Sequence, residues 1–278
     1  MQTPELLSLK EMQQVYLELL KEFDSICGEH DLRYDLAGGS LLGAVRHGGF
    51  IPWDDDIDVC MPRPDYLRLL ELKERGGLKL PEGRDVISHR DRTFARHFGR
   101  YIRHDVRRLS DTAEDQDCPY IGMDIFPIDG VPEGKLAFKW QCFQIRQLRR
   151  FLLTSVEKKG TSRRGGMAAK IKDLYRPVLK AIGPYRIAER LDRVCSRVPF
   201  ENAKSVGAIT GMYGVREKWT KEQMLPQKRM KFQDTQACVF ANYDIYLSNL
   251  FGDYMCLPPV EQQVPHCDRG YRVKEKEL

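Results

Sequence analysis

Several features that would settle the class of a protein are missing here. No apolar stretch approaches the roughly 20 residues needed to span a bilayer, although 42% of the 278 residues are hydrophobic. The start, MQTPELLSLKEMQQ, has neither a basic opening nor an apolar run, so a secretory signal is not expected. The eight cysteines are scattered and form no C-x-x-C pair. That argues against a zinc knuckle or a disulfide framework and for a reducing cytoplasm. No internal repeat or low-complexity tract is present. No aromatic–basic platform or motif supports nucleic-acid binding, so nucleic acid is not an expected partner.

What is present can build a core. The length suits one α/β domain with insertions, and the apolar content excludes a disordered tail. The net charge of +5 is unevenly spread. From Lys135 to Arg197 there are 17 Lys+Arg and 4 Asp+Glu, whereas the rest of the chain has 28 and 36. An acidic pocket and a separate basic segment are therefore expected.

Along the chain, Ser8-Leu9-Lys10-Glu11 has the form of a capping box. Apolar residues at three- and four-residue spacing then predict a helix to about Gly28. Leu32–Ala37 reads as a short strand, Ser40–Val45 as a helix following a Gly-Gly-Ser turn, and Asp56–Met61 as an alternating strand. Pro62 and Pro64 open another helix. DVISHR and FARHFGRYIRH predict further strands, and Tyr120–Gly134 predicts one broken by Pro127 and by Asp129-Gly130. The basic segment reads as mostly helical, with a break at EKKGTSRRGG (Glu157–Gly166). AKSVGAITGMYG reads as strand, and YDIYLSNLF as a short helix before a Pro-rich descent. The fold class predicted is α/β (α+β): a mixed sheet flanked by helices. A catalytic domain of residues 1–134 and 198–278 would be interrupted by a basic helical insertion, 135–197.

The chemistry concentrates in AGGSLLGAVRHGGFIPWDDDIDVC (Ala37–Cys60). Alternation puts Asp56 and Asp58 on one strand face. Two close carboxylates repel unless a cation sits between them, and hard oxygen ligands completed by phosphate oxygens suit Mg²⁺. Gly39 and Ser40 precede a helix whose free N–H groups and positive dipole end suit a phosphate. An aspartate run by itself is usually a solvated loop. It is the succession of turn, helix and D-x-D that points to a site for a phosphorylated, nucleotide-like substrate.

That succession resembles the nucleotidyltransferase fold (polymerase-β-like), with Leu41 to Asp55 slightly longer than the usual spacing. The longer text GGSLLGAVRHGGFIPWDDDID resembles the LicD family, which includes phosphocholine transferases of bacterial surface glycans and fukutin-related ribitol-phosphate transferases. GMDIFPIDGVP resembles the family's third acidic strand, and YLSNLFGDYMCLPP its C-terminal signature. The likeness covers residues 8–134 and 205–267 and is least in the basic insertion.

The resemblance implies that Asp56 and Asp58 hold Mg²⁺ (or Mn²⁺). Asp124 would be the third carboxylate, either a ligand or the base that takes the acceptor's proton. Asp54 would support the pair. Gly39 and Ser40 would contact phosphates. Arg46 and His47 would point at the leaving group or merely end a surface helix. Trp53 would stack on a base or pack under the loop. Of Arg100 and Arg103, at most one would face the site. Asp253 and Tyr254 would touch substrate or only support the fold. The implied reaction is attack by a glycan hydroxyl, free or lipid-linked, on a CDP-activated alcohol, typically CDP-choline, with release of CMP. The alternative is transfer of NMP with release of pyrophosphate. A choline cage would draw on Tyr101, Tyr120, Trp219 or Tyr254.

FKWQCFQIRQLRRFLL reads as a basic amphipathic helix. It suits peripheral contact with the inner face of the cytoplasmic membrane, or else a solvated subdomain or dimer surface.

Overall fold

The computed structural model describes residues 5–109, 118–158, 167–209, 213–265 and 269–273. In chain order the elements are α1 (Leu9–Glu29), β1 (Asp35–Leu36), α2 (Gly38–His47), β2 (Asp58–Pro62), α3 (Arg63–Glu74), β3 (Arg84–Ile87), β4 (Gly99–Leu109) and β5 (Tyr120–Val131). Then come α4 (Lys135–Val156), α5 (Met167–Ile182), α6 (Pro184–Cys195), β6 (Ser205–Gly207), β7 (Trp219–Thr220) and α7 (Lys221–Met224). The hairpin β8 (Gln227–Phe232) and β9 (Thr235–Phe240), helix α8 (Tyr243–Phe251) and β10 (Arg269–Arg272) follow. This is a mixed α/β fold of the nucleotidyltransferase-like type.

The main sheet runs β1-β2-β5-β4-β10, with β3 also on β4, and β6 joining β5 to β7. The β2–β5 pairing is parallel and the others are antiparallel. β5 is the spine. It pairs with β4 up to Ile125, with β2 from Asp124 to Ile128, and with β6 from Asp129. Pro127 stands in register with Met61 of β2, beyond the last β4 pair and before the first β6 pair, so neither of those ladders needs its missing N–H. The predicted break in this strand is thus corrected. The strand continues to Val131, and Asp129 is buried in an ion pair instead of a turn.

α1 starts as predicted. The Ser8 N–H donates to Glu11 Oε2 at 2.7 Å and the Glu11 N–H to Ser8 Oγ at 3.3 Å, a box worth about 1 kcal/mol. Met12, Tyr16, Leu19, Leu20 and Phe23 bury its apolar stripe on the sheet. Several boundaries differ from expectation: β1 covers only Asp35–Leu36 of the predicted Leu32–Ala37, β4 begins at Gly99 where strand was expected from Phe94, and the described strand in AKSVGAITGMYG is only Ser205–Gly207. α2 already begins at Gly38, so the glycines form its first turn. β2 begins at Asp58, two residues later than predicted. The β8–β9 hairpin was not predicted. Its loop, Gln233-Asp234, lacks the usual Gly or Asn signal, and Gln233 takes φ 55°.

The segment 135–197 packs as three helices around its own cluster, including Phe138, Cys142, Ile145, Ile187, Leu191 and Val194. The amide of buried Gln141 donates to the Val194 and Cys195 carbonyls at 2.8 and 3.3 Å. Arg63 joins this unit to the sheet. It grips Asp129 with two bonds, of 2.6 and 2.7 Å, and Asp192 of α6 at 2.9 Å. Most of the predicted break, residues 159–166, lies outside the described residues. The described cysteines are all unpaired. Among the described residues no helix is long and apolar enough to cross a membrane.

Candidate active site

Three adjacent strands align the first row of charge. Asp58 of β2 stands opposite Asp124 of β5, and Asp124 stands opposite Arg100 of β4. Residues paired in register share a face. Arg100 Nε donates to Asp124 Oδ1 at 2.5 Å. Arg103 leaves this row and bonds Glu18 and Asp105, each at 2.7 Å.

Upstream of β2 the alternation continues. Asp54, Asp56 and Asp58 all line a cleft of about 330 Å³. Asp54 therefore belongs with the pair and is not peripheral to it. Asp55 is buried and does not line the cleft, yet carboxylate oxygens of Asp54, Asp55 and Asp56 lie within 4.8 Å of one another. Burial pushes the Asp58 carboxyl up, Asp56, Asp124 and Asp54 push it further, and Arg100 only partly opposes them.

The first turn of α2 closes the other side. Gly38, at φ +51°, and Gly39 line the cleft. A Cβ on Gly39 would stand 2.9 Å from Asp54 Oδ2, so a side chain there would collide with the acidic wall. The Gly38 N–H donates to the Tyr246 hydroxyl at 3.1 Å. Ser40 sits behind this turn, where its Oγ accepts the Asp58 N–H at 2.9 Å and ties helix to strand. The turn and the acidic wall are thus one connected unit.

Other predicted residues lie away from the lining. Arg46 donates to the Tyr254 and Cys256 carbonyls at 2.9 and 3.2 Å and to His47 Nε2 at 3.0 Å. Tyr254 donates to Asp244, and Asp253 accepts from Cys256 Sγ at 2.9 Å. Arg46 thus ties α2 to the C-terminal segment, His47 accepts from Arg46, and the Asp253 and Tyr254 side chains bond within residues 244–256. Of the four rings considered for a choline cage, none lines the cleft. Tyr101 bonds Glu22, Tyr120 packs on His104, Trp219 is buried behind Tyr246, and Tyr254 bonds Asp244.

The lining rings are instead Trp53, Phe126, Tyr213, Tyr246 and Phe251, with Glu217 between them. Sequence reasoning missed all but Trp53. Phe251 falls inside the YLSNLFGDYMCLPP segment, but Tyr213 and Glu217 carry no local signal. Among the described residues lining the cleft, four are acidic and none is Lys, Arg or His. Such an all-oxygen, net-negative donor set fits a hard divalent cation.

Comparison with known proteins gives the family. The chain is 30% identical over 269 residues to the lipopolysaccharide cholinephosphotransferase LicD of Haemophilus influenzae, covering 94% of this chain and 96% of that one. This chain belongs to the LicD family, and so to the phosphotransferases. The family model described as LicD/FKTN/FKRP, nucleotidyltransferase domain, matches residues 31–133, from just before β1 to just past β5. Human ribitol 5-phosphate transferase FKRP is 68% identical over 28 residues, 10% of this chain and 6% of that one. An uncharacterised Rickettsia prowazekii protein is 36% identical over 55 residues, 20% of this chain and 21% of that one.

Proposed function

We propose that this LicD-family phosphotransferase moves phosphocholine from CDP-choline to a sugar hydroxyl of a lipopolysaccharide-type glycan or its lipid-linked precursor, with release of CMP. The observation that carries the reading is the acidic wall of Asp54, Asp56 and Asp58 facing the N-terminal turn of α2 across one cleft.

Asp56 and Asp58 would hold Mg²⁺ or Mn²⁺, with Asp54 beside them. When bound, the ion would supply positive charge against the diphosphate and the departing CMP. The cleft lining, as described, has no basic side chain to do this. The first turn of α2 directs amide dipoles at the phosphates. Asp124 stands in register beside Asp58 with its Oδ1 held by Arg100, and in this scheme it completes the acidic row behind the pair.

The acceptor oxygen forms a bond to the phosphorus that bears choline. The bond from that phosphorus to the bridging oxygen breaks, and CMP departs with the oxygen. The hydroxyl proton passes to a carboxylate of the same wall. Fixed geometry and preorganised charge supply most of the acceleration.

The acceptor would reach the protein at the inner face of the cytoplasmic membrane. Leu136, Trp140 and Phe143 lie at helical spacing on one face of α4, with Trp140 57% and Leu136 83% exposed. Lys139 and Arg146 are exposed along the same helix. A mixed apolar and basic stripe suits an anionic lipid surface.

The test is incubation with CDP-choline, Mg²⁺ and a choline-free lipopolysaccharide. CMP release matched by choline incorporation supports the reading. Pyrophosphate release from nucleoside triphosphates, with no CMP from CDP-choline, replaces it with nucleotidyl transfer.

A further inference from the structure

We infer that the aromatic end of the cleft, formed by Tyr213, Phe251 and Tyr246 around Glu217, is the seat of a quaternary ammonium head group and sets the donor specificity. This rests on the reading that the donor is a CDP-alcohol.

The rings are held in place before any ligand arrives. Tyr213 and Phe251 meet edge to face, with centroids 5.6 Å apart and an interplanar angle of 80°. Tyr246 is buried between Trp219 and Phe240, each with its centroid 4.9 Å away, and its hydroxyl is fixed by the Gly38 amide, so it backs the site while Tyr213 and Phe251 supply the ring faces. Its position thus links the aromatic end directly to the phosphate-facing turn. Glu217 is 3% exposed, and its Oε1 accepts the Tyr213 N–H at 3.0 Å. The carboxylate and the ring-bearing loop are therefore one unit.

Charge points the same way. Burial pushes the Tyr213 hydroxyl up to about 12, with Glu217, Asp58, Asp54 and Asp56 adding to the effect. The ring stays neutral beside the Glu217 carboxylate, which remains in place when the three aspartates hold a cation and which also faces Arg149. A trimethylammonium group cannot donate N–H hydrogen bonds, is loosely hydrated, and gains most from ring faces and a nearby negative charge. A primary ammonium needs acceptors at short range. A glycerol or ribitol chain would leave hydroxyls against rings without partners. The expected order is CDP-choline, then CDP-ethanolamine, then CDP-glycerol and CDP-ribitol.

The two ends of the cleft divide the work. In this proposal the Asp54–Asp58 wall meets the diphosphate, and the Tyr213–Phe251 pair, lining the same cleft, meets the alcohol. Tyr246 and Gly38, bonded to each other, lie between.

Calorimetric titration with Mg²⁺ tests this, using CDP-choline, CMP and the CDP ester of 3,3-dimethylbutanol, which replaces the charged nitrogen with carbon at the same shape. CDP-choline should bind about tenfold tighter than the neutral analogue. Tyr213→Leu and Phe251→Leu should each weaken CDP-choline about tenfold and leave CMP unchanged, whereas Tyr213→Phe, which keeps the ring, should stay within about threefold of wild type. Glu217→Gln should weaken CDP-choline more than the neutral analogue. Equal affinity for the charged and neutral esters overturns the proposal. So does parallel loss of CMP binding in the leucine variants, because the rings would then hold the base.

Titration with choline alone separates this proposal from the proposed reaction. Choline binding that Tyr213→Leu abolishes supports the seat even if no CDP-alcohol yields CMP, an outcome that would sink the reaction. Turnover of every CDP-alcohol at one rate, unchanged by Tyr213→Leu, overturns the seat and leaves the reaction standing.

Discussion

The acidic cleft and the basic helical unit solve opposite problems with the same chain. In the cleft, four carboxylates converge on a space with no basic side chain among its described lining, and Asp58 is pushed above the ordinary carboxylate range. That arrangement costs stability and is useful only with a cation present. In the helical unit, apolar residues form a separate cluster and most of the described positive charge lies on the surface, with buried Arg176 paired to Asp173. One region stores unfavourable charge for chemistry, while the other carries charge where solvent or a surface can meet it. Arg63 crosses between them and pairs with an aspartate on each side.

The comparison can be broken at several points. The largest expected effect is on turnover: Asp58→Asn should lower CMP release about a hundred- to a thousandfold, read in a discontinuous CMP assay. In the absence of divalent ions the same variant should melt higher than wild type at neutral pH. The sign follows from linkage. The folded state binds the Asp58 proton more tightly than the unfolded chain does. The penalty is therefore absent at pH values below the ordinary carboxylate range and grows as pH rises through it. A melting series from pH 3 to 8 should show the gain only at the upper end. A gain that persists at pH 3 would mean that it has another origin.

Arg63→Ala should cost about 3–5 kcal/mol, because it leaves Asp129 buried without its partner. Urea titration reads this, and a loss below about 1 kcal/mol would show that the two regions are not joined through this contact.

Trp140→Ser with Phe143→Ser should remove binding to anionic vesicles while leaving CMP release with a water-soluble acceptor within about twofold of wild type. Co-sedimentation measures the first and the CMP assay the second. Unchanged vesicle binding would assign the stripe to another role. The smallest effect expected is that of Ser8→Ala, about 1 kcal/mol in urea titration, from loss of the α1 cap.

Legibility differed between the same regions. The α1 cap, the helix after the glycines and the acidic alternation rest on contacts within a few residues, so the sequence displays them. Pro127 misled because proline usually ends a strand. Here it lies past the last β4 pair and before the first β6 pair, which only the assembled sheet reveals. Arg46 looked like a substrate contact because it follows the motif by one helical turn. Its guanidinium in fact meets carbonyls 208 and 210 residues away. Tyr213 and Glu217 were invisible because nothing in GMYGVREKW distinguishes a cleft wall from an ordinary loop.

The sequence alone determined the local chemistry: the acidic run, the glycines before it, the capped first helix and the basic segment. Those features depend on spacing along the chain, which folding does not change. Only the tertiary structure decided that Asp54 lines the cleft with Asp56 and Asp58, that Asp124 is held by Arg100, and that Tyr213, Tyr246 and Phe251 line the same cleft. Their order in the chain says nothing of this, because strand pairing and packing bring together residues that are up to 200 positions apart.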